Sequence, residues 1–278
     1  MSFSNEVRQE IYSTINDNDK KFACLYGMLI YCKSISRENI TLQTESSVTA
    51  RLFNELVKSV FKDKIHISVH ESVKKNDNKL YTCTITDKNE IDIVLKRYFI
   101  DVENRFINQE IVVNNSLGVF TAGVFLSCGS VNDPSKEYHL EFAAPCRRLA
   151  EELQLILLDI GVNAKIFVRK NMYVVYIKES ESIEDTLTYI GAQQCTIELM
   201  NVKIFKDVRN KANRLANCDS ANIDKVVNAA LKQIDNIKII AETVGLNSLT
   251  PELREVAELR LENTDMSRLF IPKKGTAL

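Results

Sequence analysis

The sequence predicts an α+β fold: a pseudo-symmetric, duplicated αββαββα body followed by a helical C-terminal region. Three observations predict it. First, an unusual apolar helix occurs twice about a hundred residues apart, as "LYGMLIYCKS" at 25–34 and "TAGVFLSCGS" at 121–130. Each copy has glycine third and cysteine eighth. Second, the element order after each copy is the same, and the local registers agree. Third, residues beyond about 197 lose the strand pattern and become a long polar, helix-forming stretch.

In the first half, "NITLQTES" alternates with period two and reads as a strand. "TARLFNELVKSVF" places Leu52, Phe53, Leu56, Val57, Val60 and Phe61 at helical spacing. "DKIHISVHE" and "KLYTCTITD" alternate again on either side of the turn-like "KKNDN", and "NEIDIVLKRYF" is helical. In the second half, "YHLEF" is a strand and "CRRLAEELQLILLDIG" a helix with Gly161 as its C′ cap. "NAKIFVRK" and "MYVVYIKE" are strands around a tight turn at Lys170-Asn171, and "SIEDTLTYIGA" is a helix. Arg51, Leu52, Glu55 and Leu56 match Arg148, Leu149, Glu152 and Leu153, while Tyr81, Ile85, Ile91 and Leu95 match Tyr173, Ile177, Ile183 and Leu187 at an offset of 92. The order requires one more short strand per half, before 40–44 and before 138–142, which the sequence does not locate. Asn132-Asp133-Pro134 marks the turn leading into the second of these regions.

Composition narrows the function classes. The 278 residues include 36 Lys+Arg against 37 Asp+Glu, a net charge of −1, so any polyanion-binding surface must be local. The start, "MSFSNEVRQEIYSTINDNDKK", is polar and carries no secretory pattern, and no apolar run reaches the roughly 20 residues that span a bilayer. The expectation is a cytoplasmic protein with no membrane partner. The seven cysteines (Cys24, Cys32, Cys83, Cys128, Cys146, Cys195, Cys218) form no CxxC pair and sit mostly in apolar segments, as reduced buried thiols do. In "HISVH", alternation puts His66 and His70 on one strand face, an ordinary half-exposed face or, less economically, the start of a metal site.

Two αββαββα halves, each opened by a glycine-containing helix, resemble the LAGLIDADG homing-endonuclease family. The resemblance implies that Gly27 and Gly123 let the two helices approach closely at the pseudo-dyad. It also implies an acidic metal ligand at the foot of each helix. Aligned on the glycines, those former metal positions hold Cys32 and Cys128. Mg²⁺ needs hard oxygen ligands, and neutral thiols supply neither the donor nor the charge. Lys33 and Gly129 follow the cysteines and do not rescue the site, and Asp133 has no counterpart in the first half. The reading is a catalytically silent scaffold, not an enzyme, with no metal and no cofactor. The cysteines then act as small buried side chains of the helix seam.

The last third carries local charge. Residues 203–232 contain seven Lys/Arg against three Asp, an excess of four. Lys203, Lys206, Arg209, Asn210, Lys211, Asn213, Arg214, Asn217 and Lys225 form the candidate DNA-binding set, because cations neutralise phosphates and amides bond base edges or phosphates. A solvated helix face has the same composition. "NCDSAN" is expected to break the helix, with Asp219 or Ser220 capping "ANIDKVVNAALKQIDNI". The string "RNKANRLANCDSANIDKVVNAA" closely resembles the segment that follows the LAGLIDADG-like domain in the WhiA family. "MSFSNEVRQEI", "AGVFLSCGSVNDPSKEYHLEF" and "LTPELREVAELRLENTDMS" resemble the same family, almost over the whole chain.

The resemblance implies a bacterial transcription regulator linked to sporulation, cell division and chromosome segregation. Its partner would be double-stranded DNA on the nucleoid, with RNA polymerase, a sigma factor or division proteins as further candidates. The expected divisions are 1–100 and 101–196 for the two halves, 197–247 for a basic helical arm, and 248–278 for a helix-turn-helix. Thr250 as N-cap with Pro251 at N1 makes "PELREVAELRLEN" the first helix of that motif, with a turn at 263–267. The eleven residues "RLFIPKKGTAL" cannot supply two more helices, so the motif reads as partial; Lys273 and Lys274 could still touch phosphates. The alternatives from other classes are a protein-interaction module with little DNA affinity, and an active nuclease.

Overall fold

The computed structural model of the chain describes residues 2–74, 78–112 and 117–262. The chain divides after Ile204 into two compact units.

The first unit opens with a helix that precedes the repeat, α1 (Phe3–Thr14), which buries Phe3, Val7 and Ile11 at four-residue spacing. The first half then runs α2 (Asn18–Ile30), β1 (Ser34–Ile35), β2 (Ile40–Thr44), α3 (Ser47–Phe61), β3 (Ser68–Val73), β4 (Lys79–Ile85) and α4 (Lys88–Tyr98). A short helix, α5 (Gln109–Val112), lies between the halves. The second half repeats the order as α6 (Leu117–Cys128), β5 (Gly129–Val131), β6 (Leu140–Ala144), α7 (Arg147–Asp159), β7 (Lys165–Arg169), β8 (Met172–Ile177) and α8 (Ser180–Tyr189). Two antiparallel four-stranded sheets result, ordered β1-β2-β4-β3 and β5-β6-β8-β7. The strands that the sequence did not locate are β1 and β5. They are only two and three residues long, too short to show alternation.

The repeat holds at the level of register. Thr44 pairs with Tyr81 and Ile40 with Ile85; in the second half Ala144 pairs with Tyr173 and Leu140 with Ile177. The helix ends follow their sequence signals. The side chains of Asp17, Ser46 and Asp87 accept backbone N–H bonds at the starts of α2, α3 and α4. After α7, Gly161 takes a left-handed φ of 81° and the Val162 N–H bonds back to the Leu157 carbonyl at 2.9 Å, closing the helix. Lys170 and Asn171 both have positive φ, the twisted two-residue turn a hairpin needs.

His66 departs from expectation. It precedes β3 and does not share a strand face with His70. Its ring Nδ1 lies 2.6 Å from Glu90 Oε1, and the His66 backbone N–H donates to Glu90 Oε2 at 2.9 Å. The hydrogen bond to that carboxylate, then its charge, raises the imidazole above its ordinary range. A folded-state value above the unfolded one means the pair's contribution is complete below the unfolded value of about 6.5 and is lost as pH rises through the higher folded one. Glu90→Gln is expected to shift the His66 titration downward, read from its imidazole proton signals. An unmoved midpoint would disprove the coupling.

α9 (Gln193–Thr243) begins in the first unit, where the Glu10 carboxylate of α1 accepts the N–H groups of Gln194 and Cys195 at 2.6 and 3.0 Å. The break expected at "NCDSAN" does not occur. No glycine or proline lies anywhere between 193 and 243, and single Asn, Ser or Asp residues cost only a few tenths of a kcal/mol in a helix interior. In the second unit α9 is followed by a 3-10 turn (Leu246–Ser248) and α10 (Pro251–Glu262). Here Ile234 and Ala257 are buried, and Arg260 donates to Gln233 Oε1 at 3.1 Å. The helix expected at "PELREVAELRLEN" is therefore present. The turn expected at 263–267 and the cations Lys273 and Lys274 lie outside the described residues.

Candidate functional site

The first feature is the seam between α2 and α6. Both helices are buried nearly all round: every residue from Ala23 to Ile30 and from Phe120 to Leu126 is inside. A Cβ added to Gly27 would strike the Phe120 carbonyl and come within 2.9 Å of Val124 N, and one added to Gly123 would strike the Cys24 carbonyl and lie 2.9 Å from its carbon. Each glycine therefore receives backbone from the opposite helix. Around the contact, Phe120 packs on Tyr26 and Tyr31 with ring centroids 5.4 and 6.5 Å apart, and the Tyr31 hydroxyl donates to the Leu149 carbonyl at 2.7 Å.

The foot of the seam carries thiols and cations. Cys32, just past α2, is fully buried and its Sγ donates to the Ser34 carbonyl at 3.1 Å. Burial pushes that thiol up to about 11 although Arg105 stands close enough to oppose the shift. At the end of α6, burial also drives the Cys128 thiol far above its usual range, against the pull of Arg8. Both arginines bond a carbonyl just past a helix end: Arg105 donates to the Cys32 carbonyl at 3.0 Å, and Arg8 to the Gly129 carbonyl at 2.5 Å. Arg8 also lies 5.3 Å from the Phe125 ring centroid and bonds Ser4, and desolvation lowers its pKa to about 10. Beneath Cys128 a polar cleft of about 640 Å³ opens. Among the described residues its one lining carboxylate, Glu45, is engaged by Lys74 and Asn78. Among the described residues no three His, Cys, Asp or Glu side chains converge as a metal site. Arg8 and Arg105 were missed by sequence reasoning because they come from α1 and from the segment between the halves, with no fixed spacing to the cysteines.

The second feature is α9. At about 100° per residue, Lys203, Lys206, Asn210, Asn213, Arg214, Asn217 and Lys225 fall within about 120° of the helix circumference. Arg209 and Lys211 flank that sector. Asn210, Asn213, Arg214, Asn217 and Lys225 are exposed, as are both flanking cations. Lys203 differs: its ammonium lies 3.3 Å from Glu181 and 3.4 Å from Glu184, so its charge is already locally matched. The opposite sector is apolar and equally exposed, with Phe205, Val208, Leu215, Ile223 and Val226 all in it. No helix among the described residues is long and apolar enough to cross a membrane.

The fold defines a class: a LAGLIDADG-like body with glycine-seamed central helices, joined to a helical C-terminal region. Three family models match: the WhiA N-terminal LAGLIDADG-like domain over 28–100, the WhiA LAGLIDADG-like domain over 117–209, and the WhiA C-terminal HTH domain over 212–268. The last begins inside the stretch expected from sequence as the arm. The chain is 38% identical over 276 residues to the probable cell division protein WhiA of Clostridium novyi, covering 94% of this chain and 87% of that one. To its counterpart in Oceanobacillus iheyensis it is 33% identical, covering 96% and 88%. The chain belongs to the WhiA family of cell division proteins. Its fold matches the crystal structure of full-length DUF199/WhiA from Thermatoga maritima, with a TM-score of 0.64 at 24% identity over 96% of this chain and 88% of that one. The N-terminal LAGLIDADG domain of DUF199/WhiA matches with a TM-score of 0.54 at 21% identity over 68% and 90%.

Proposed function

We propose that this chain is a DNA-binding transcription regulator of nucleoid DNA, linked to cell division and sporulation, whose LAGLIDADG-like body is a catalytically silent scaffold. The observation that carries the reading is the exposed sector of cations and amides on α9, which runs into the stretch matched by the WhiA helix-turn-helix model at Asn213, Arg214, Asn217 and Lys225. Arg209 and Arg214 would neutralise phosphates, and Asn210, Asn213 and Asn217 would bond phosphate oxygens or base edges. The seam supports silence for a chemical reason: the protonated thiols offer no anionic ligand, and two guanidiniums repel the divalent cation that phosphodiester hydrolysis of this type recruits.

A salt titration of duplex binding tests the reading. Each phosphate contact contributes about 0.9 to the slope of log affinity against log salt, so Arg209→Ala with Arg214→Ala should reduce the slope by roughly two. Lys203→Ala, whose charge is matched by two carboxylates, should change it little. An unaltered slope in the double variant would remove α9 as the contact. The same protein incubated with plasmid and Mg²⁺ or Mn²⁺ should produce no nicked form above the blank.

A further inference from the structure

The apolar sector of α9 leaves large side chains in water: Leu215 is 65% exposed and Phe205 75% exposed. Side chains of that size on one helical face mark an interaction surface more often than a solvated one. The row facing outward is Val208, Lys211, Leu215, Asp219, Asn222 and Val226, spaced 3, 4, 4, 3 and 4. These steps belong to an eleven-residue repeat, which keeps one seam on a nearly straight helix. About Leu215 the row is also nearly palindromic.

We propose that this face of α9 pairs with the same face of a second copy of the chain, antiparallel and centred on Leu215. A two-fold interface brings residue i against j and j against i, so positions equidistant from Leu215 meet. Leu215 then packs on the partner's Leu215. Lys211 meets the partner's Asp219 on one side, and Asp219 meets the partner's Lys211 on the other. Val208 lies against the aliphatic stem of the partner's Asn222. On one flank Phe205 covers the partner's Ile223; on the other Asp207 reaches the partner's Lys225. Every charge near the seam therefore finds its opposite. In a parallel pair Lys211 would face lysine and Asp219 aspartate, so the same residues that favour the antiparallel register exclude the parallel one. Arg209, Arg214, Asn210, Asn213 and Asn217 remain on the outer sectors, whereas Lys211 and Lys225 serve the interface.

Sedimentation equilibrium of the full chain tests this. The expected species is a dimer of twice the 31.7 kDa chain mass. Leu215→Asp should return it to monomer. Lys211→Asp alone and Asp219→Lys alone should each weaken association about tenfold or more, since each places two like-charge contacts in the seam. Combining them exchanges the charges and should restore the dimer. A monomer at concentrations up to about 100 μM would overturn the proposal. So would a dimer indifferent to Leu215→Asp, a double variant that stays weak, as a parallel pair would, or Leu215→Asp lowering the melting temperature of a monomer, as a contact within one chain would. The DNA titration uses Arg209 and Arg214, so failure of either reading leaves the other standing.

Discussion

Gly123→Val is expected to lower the unfolding free energy by about 3 kcal/mol, the upper part of the range for overpacking a filled core. The reason lies in what the new side chain meets. The Cβ of residue 123 would occupy the position of the Cys24 carbonyl, and backbone cannot swing aside as the end of a flexible side chain does. Gly27→Val should cost a similar amount against the Phe120 carbonyl and the Val124 nitrogen. The control is Gly161→Ala. That glycine has φ of 81° and nothing within 4 Å of an added Cβ, so only backbone strain of about 1 kcal/mol applies. Urea unfolding midpoints compare the three. If the seam variants fall no further than Gly161→Ala, close helix approach is not what holds the two halves together.

Cys32→Asp is the second large effect, a loss of about 3 kcal/mol at pH 7. It restores the residue type that a divalent metal would want, yet in a place that has no solvent. The native thiol already shows the balance. Desolvation lifts it to about 11 despite Arg105 beside it, so burial outweighs that cation. A carboxyl at the same position would likewise titrate above its unfolded value of about 3.9. A raised folded value means the variant's relative stability is greatest below pH 4 and declines as pH rises through the folded value. Denaturation at pH 4 and pH 7 should therefore show a larger deficit at pH 7, and added Mn²⁺ should not reduce it. Stabilisation by Mn²⁺ at pH 7 would show that the foot of the seam still accepts a metal.

The duplication was legible because its signals are local and repeated. Glycine in α2 and in α6 is followed five residues on by cysteine, and Tyr81 and Ile85 are matched by Tyr173 and Ile177 in both spacing and pairing. Elements without periodicity were not legible. β1 and β5 are too short to alternate, and α1 shows only Phe3, Val7 and Ile11 as a stripe. The continuity of α9 was misjudged because Asn217, Asp219 and Ser220 are residues that cap helices, while the absence of glycine and proline mattered more. At the seam the two thiols could be found by counting from the glycines. Arg8 and Arg105 could not, because tertiary folding alone brings them to those helix ends.

Those two arginines bear on the chain's evolutionary options. An acid appearing at position 32 or 128 would meet a guanidinium before it met a metal, and a lost arginine would strand the carbonyl it now holds. A carboxylate placed alone at either position would therefore be spoken for by an arginine, and removing the arginine to free it would leave a backbone carbonyl without its donor.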